Sequence, residues 1–180
     1  REWARDHAGV RIDYPVLSDA EFAARGESLA NDHALFLVGN ARTNRLVREF
    51  EQDPDWPIRV DGDDILVGPT RVRARPGSEA HSQLGAAFIR PNPRRPDRYV
   101  VVVEGAAALG TWRSESLPDM LPDYVVFDEG VAPAHGQLLL GSASVRAAGF
   151  FDATWSLTPR AEASSDAGPP REAPRESAER

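Results

Sequence analysis

The run "ALFLVGNARTNRLVREF", Ala34 to Phe50, constrains this chain more than any other stretch. Its five apolar residues, Ala34 to Val38, read as a continuous strand of the kind a parallel sheet buries on both faces. Gly39 ends the strand, a polar turn follows, and Thr43 to Glu51 reads as a helix with Leu46, Val47 and Phe50 on one apolar face. A strand handing over to a helix in this way is how nucleotide-binding folds aim backbone N–H groups at phosphate. The segment Gly39-Asn40-Ala41-Arg42-Thr43-Asn44 is therefore either an anion-holding loop or a well-made turn. In the second case Gly39 takes a special backbone conformation and Thr43 or Asn44 caps the helix.

Alternating elements follow. Pro57 to Val60 is a short strand, and Asp61-Gly62 is a hairpin signal because glycine accepts a positive φ. Ile65 to Val67 and Thr70 to Arg75 continue as strands around Gly68-Pro69. Gly85 to Ile89 and Tyr99 to Glu104 are two more, and "YVVVVEG" is the strongest β signal in the chain. Thr111 to Ser116 reads as a helix, Asp123 to Asp128 as a strand, and Leu138 to Leu140 and Gly149 to Phe151 close the ordered part. The expectation is a three-layer α/β domain, Rossmann- or flavodoxin-like, with a mostly parallel sheet and a β-hairpin insert.

That domain spans 33–157. Before it, 1–32 is a connecting segment in which "RIDYPVL" gives a short strand ended by Pro15, and Ser18 with Glu21 forms a capping box that opens a short helix. After it, 158–180 is rich in Pro, Ala, Ser and Glu and is expected to be disordered, since it has too little apolar surface to offset its ordering entropy.

Composition excludes several chemistries. All 21 basic residues are Arg, so no Schiff-base or P-loop lysine operates here. With no cysteine there is no disulfide, thiolate nucleophile or cysteine zinc site. A net charge of -7 with scattered arginines argues against nucleic acid, and no apolar run reaches the roughly 20 residues of a membrane helix. The chain begins at Arg1 and its only methionine is Met120, so it is expected to be a piece of a longer protein.

Candidate sites are few. Dinucleotide binding requires G-x-G-x-x-G, and the three positions here hold Gly39, Ala41 and Asn44. Asp61, at the end of the following strand, stands where a ribose-binding acid would be. "DGDD", Asp61 to Asp64, lacks the alternation and distal Glu of a calcium loop. His7, His33, His81 and His135 have no H-E-x-x-H frame, so no metal and no cofactor is implied. "GSASV" is not a nucleophile elbow, so no catalytic residue is nominated. "RPNPRRPDR", Arg90 to Arg98, is either a basic anion-binding loop or a solvated one stiffened by proline. The binding reading places Gly39, Asn40, Thr43 and Asn44 opposite Asn92 and Gly105, at the crevice beyond the strand ends.

In order, "LFLVGNARTNRLVREF", "WPIRV", "ILVG", "AAFIRPNPRRPDRYVVVVEG", "LPDYVVFD" and "AGFFDATW" resemble the C-terminal domain of large secreted bacterial α/β-hydrolase proteins, prolyl-oligopeptidase-like or esterase-like. The matching residues are Gly39, Asn44, Pro57-Ile58, Pro91-Asn92-Pro93, Arg98-Tyr99-Val100, Pro122-Asp123-Tyr124, Gly149 to Asp152 and Trp155. The pattern's proline after the turn asparagine is Arg45 here, and its "sG" is Glu104-Gly105. A weaker likeness, in the Gly-to-Asn turn and the "NP" loop, runs to α/β modules of archaeal surface-layer proteins. The resemblance implies a non-catalytic accessory domain, an upstream hydrolase domain in the same polypeptide as partner, and export to the periplasm or beyond. A small-ligand (anion or sugar) binding module on the Gly39–Asn44 loop and a degenerate dinucleotide-binding enzyme are the alternatives.

Overall fold

The structure, a computed structural model, describes residues 15–74, 83–118, 120–131 and 144–157, without the side chains of residues 25, 27 and 29. The expected strand before Pro15 and the one at Leu138–Leu140 lie outside this set, as does the segment from Thr158. Helix α1 (Asp19–Asp32) leads into strand β1 (Leu35–Val38) and helix α2 (Arg45–Phe50). Three short strands follow, β2 (Ile58–Asp61), β3 (Asp64–Val67) and β4 (Thr70–Val72). Then come β5 (Gly85–Asn92), β6 (Arg95–Gly105), helix α3 (Ala108–Trp112) with a 3-10 turn (Arg113–Ser116), β7 (Tyr124–Phe127) and β8 (Val145–Gly149).

The strands form two sheets, a larger one ordered β1-β6-β5-β7-β8 and a meander β2-β3-β4. Only β1 and β6 run parallel; every other pairing is antiparallel. This corrects the expected Rossmann- or flavodoxin-like three-layer domain with a mostly parallel sheet. The physical reason lies at Pro93-Arg94. A parallel partner needs a crossover of a dozen or more residues, whereas β5 and β6 are joined by a tight turn and must be antiparallel. "RPNPRRPDR" is thus not a loop between strands but the end of one, a turn and the start of the next. The Asp61-Gly62 turn is a hairpin, with Gly62 at φ 64 and Asp61 paired to Asp64, and β4 extends it to three strands.

The capping box at α1 forms as read: Ser18 N donates to Glu21 Oε2 (2.8 Å) and Glu21 N to Ser18 Oγ (3.3 Å). The helix runs for 14 residues and packs Phe22 against the main core.

Alternation along β6 sorts the two faces of the larger sheet. Val100 and Val102, with Phe88 across from Val102 and Ala86 on the same face of β5, face α2 and the meander, and meet Leu46, Val47, Phe50, Trp56, Ile58 and Ile65 in the main core. On the opposite face Ala87, Val103, Val125 and Phe127 are covered by Leu117, Leu121 and Val131. Gly85 and Gly105 are paired on that second face and make room for α3. A Cβ on Gly105 would collide with the backbone N of Thr111. Arg113 pins the covering segment by donating to Gln83 Oε1 (2.7 Å) and to the carbonyls of Glu129 and Val131 (3.1 and 2.9 Å).

Candidate functional site

The Gly39–Asn44 loop sits where β1 and β6 end side by side, and Gly39 N donates to Val103 O. Gly39 holds φ 103, and a Cβ there would stand 2.6 Å from Thr43 Oγ1, so the position needs glycine. An anion site would leave N–H groups open around such a loop, and here those of Gly39 and of Arg42 to Val47 are taken. Asn40 Oδ1 accepts from Arg42 N (3.0 Å), and Asn40 O accepts from Thr43 N and Asn44 N. Asn44 Oδ1 accepts from Leu46 N and Val47 N, the N-cap anticipated from sequence, and Asp19 Oδ2 accepts from Arg45 N (2.9 Å). Side-chain donors turn inward as well. Asn40 Nδ2 bonds Gly105 O (2.7 Å), Arg42 bonds Ala106 O (2.5 Å), Thr43 Oγ1 bonds Asn40 O and Asn44 Nδ2 bonds Val38 O. The loop is a clamp that fastens the end of β1 to the end of β6.

Gly105 is therefore beside Gly39, Asn40, Thr43 and Asn44, as the binding reading requires, but Asn92 is not. Asn92 pairs with Arg95 at the far end of the same hairpin, roughly 30 Å along the strand at about 3.4 Å per residue. There its Oδ1 accepts from Arg94 N (3.0 Å) and shapes the turn. The four arginines of this hairpin are each matched to an acid. Arg94 reaches Glu49 (2.6 Å), Arg95 and Arg98 reach Asp97, and Arg90 lies over Trp56 with Asp53 3.9 Å away. Burial pushes the Arg90 guanidinium down, while Asp53 and Asp55 oppose that shift.

The dinucleotide reading loses its frame with the fold. Asp61 belongs to the separate meander and is paired with Arg71, which also binds Asp64 (3.0 Å). Among the described residues no three His, Cys, Asp or Glu side chains gather as metal ligands. Of the histidines only His33 is among them.

The motif pieces that carry the sequence resemblance meet in one corner. Tyr99 packs on Trp155 (5.6 Å between centroids), Phe151 packs on both Trp155 and Tyr124, and Asp123 Oδ2 accepts from Phe151 N (2.9 Å). Asp152 closes the turn by accepting from Thr154 N and Ser156 N, and those bonds, led by the Thr154 hydroxyl, hold its carboxyl below the usual range. Trp155 sits at φ 62, a costly conformation for a large side chain that this packing holds in place.

Two features were not found from sequence. The first is Glu104, fully buried on the core face of β6 with neither carboxylate oxygen hydrogen-bonded. Its signal was present in "VVVVEG", where the acid is in phase with Val100 and Val102. The second is the uneven cover of the other face. Near β7 it is sealed, but toward β1 Val38 is 56% exposed, with Phe36 and Tyr99 also half open. Leu109 and Trp112 (53%) stand exposed on α3, which lies across the same face, and Met120 projects from the covering segment.

Comparisons with family models, with curated proteins and with solved structures found no match to this chain. No helix among the described residues is long and apolar enough to cross a membrane.

Proposed function

We propose that this chain is a non-catalytic accessory module that docks against a hydrolase-type (peptidase or esterase) domain of the same polypeptide, in an exported bacterial protein. The observation that carries the docking is the half-open face of the larger sheet, where Val38, Tyr99, Leu109 and Trp112 present apolar surface on one side of the molecule. Apolar side chains gathered on one side, with few charges among them, mark surfaces that bind other proteins. The choice of partner rests on the resemblance, whose motif residues serve here as packing: Asp123, Tyr124, Phe151 and Trp155 hold a corner together and present no open reactive group. The Gly39–Asn44 clamp supports a structural reading of that loop over a ligand-binding one, because its side-chain donors and most of its backbone donors bond within the chain.

Photo-crosslinking tests this. A photoreactive residue is placed at Trp112, and at Arg98 as a control, in the protein expressed from its own gene. The expected product is a link from position 112 to a peptide of a hydrolase-like domain in the same chain. Identical products from both positions would overturn the docking reading, and a link to an unrelated polypeptide would overturn the choice of partner.

A further inference from the structure

Glu104 is a fully buried acid on the core face of β6, and its surroundings offer it little. Both oxygens lack a partner, and its cross-strand neighbour Ala86 brings no charge. Glu51, the residue that ends α2, is the charged group that acts on it from the cover, and Glu51 Oε1 is itself buried without a partner. Behind Glu51 stands Arg59 of β2, which donates to Asp53 O. At the strand end, Arg42 is bound to the carbonyl of Ala106. Trp56 Nε1, in the same core, is a buried donor also without a partner. A carboxylate ion in such a place would cost several kcal/mol, so the proton stays.

We infer that Glu104, backed by Glu51, is a proton-holding device: its carboxyl is neutral while α2 and the meander are closed over the sheet, and rising pH drives that cover open. Burial, with the Glu51 charge added, raises the Glu104 carboxyl well above its ordinary range; burial also raises Glu51, with Arg59 opposing. A group raised in this way binds its proton in the fold and releases it in the unfolded chain. Its stability contribution is complete below the ordinary carboxylate range and is lost as pH rises through the folded-state value. This is opposite in sign to the usual paired carboxylate, and it rests on residues separate from the docking face.

The test is urea unfolding of the whole chain from pH 5 to 8, for wild type, Glu104→Gln and Glu51→Gln. Relative to Glu104→Gln, the wild-type unfolding constant is expected to grow by up to about tenfold per pH unit, about 1.4 kcal/mol. Parallel curves for wild type and Glu104→Gln would overturn the inference. Infrared spectroscopy of wild type keeps it testable if that variant does not fold. A protonated carboxyl band that persists above the ordinary carboxylate range, shifts on isotopic labelling of glutamate and survives Glu51→Gln is expected. Its absence would overturn the inference equally.

Discussion

Asn40→Ala is the substitution that asks most sharply what the Gly39–Asn44 loop does. Asn40 is buried and makes two bonds, from Nδ2 to Gly105 O and from Arg42 N to Oδ1. Each contributes about 0.5–1.5 kcal/mol net, and the buried Gly105 carbonyl left without a donor adds about 1–3 kcal/mol. Truncation should therefore cost about 2–6 kcal/mol. With a urea slope of about 2 kcal/mol per molar, the midpoint should fall by about 1–3 M while the slope stays constant. Asn40→Asp keeps the acceptor for Arg42 N but turns a carboxylate oxygen on the Gly105 carbonyl in a buried place, so it should cost at least as much as Asn40→Ala. Phosphate, nucleotides and sugars should leave the melting temperature of wild type unmoved, because the side-chain donors of Asn40, Arg42, Thr43 and Asn44 are already engaged. A ligand-binding loop behaves the other way, with a cost for Asn40→Ala under about 0.5 kcal/mol and a ligand-dependent rise in melting temperature that the variant loses. That pair of results would refute the clamp.

Other substitutions have equally definite outcomes. Asn44→Ala removes the N-cap of α2 and should cost about 1 kcal/mol in urea unfolding. Gly105→Ala would drive a Cβ into the Thr111 backbone, and a loss of about 3 kcal/mol or more is expected, read as a lower and broader thermal transition. Asp128→Ala strands Arg146, its partner at 3.1 Å, and frees Gly130 N; about 3 kcal/mol should be lost by the same assay. Arg94→Ala breaks only a solvent-exposed pair with Glu49 and should change stability by less than about 1 kcal/mol.

Local signals in the sequence were read well where one residue type dictates one geometry. Gly62 and Gly39 both take the positive φ expected of them, Asn44 caps α2, and Ser18 with Glu21 closes its box. Strand direction was not legible, because an apolar run of Val and Ile reads the same in a parallel and an antiparallel sheet. The information lay in the connection. Treating Arg90 to Arg98 as a loop hid that β5 and β6 continue through Pro91 and Pro96 to a turn, with a bulge at Pro91/Asn92 absorbing the irregularity. That single misreading also placed Asn92 beside Gly105 when the hairpin sets them at opposite ends. Glu104 escaped notice because an acid at the end of a strand is ordinarily solvated. Its burial depends on the core face of the sheet being covered by residues distant in sequence, among them those of α2 and Trp56, and local periodicity does not carry contacts of that separation.

The account depends most on the sheet face near β1 being open in the folded chain. Its direct test is the stability of Val38→Thr combined with Trp112→Gln, measured by urea unfolding beside wild type. Both side chains are more than half exposed, so the pair should cost less than about 1.5 kcal/mol and leave the slope unchanged. A loss above about 3 kcal/mol, the signature of emptying a core, would mean that the face is already covered within this chain and would remove the ground for a docking surface.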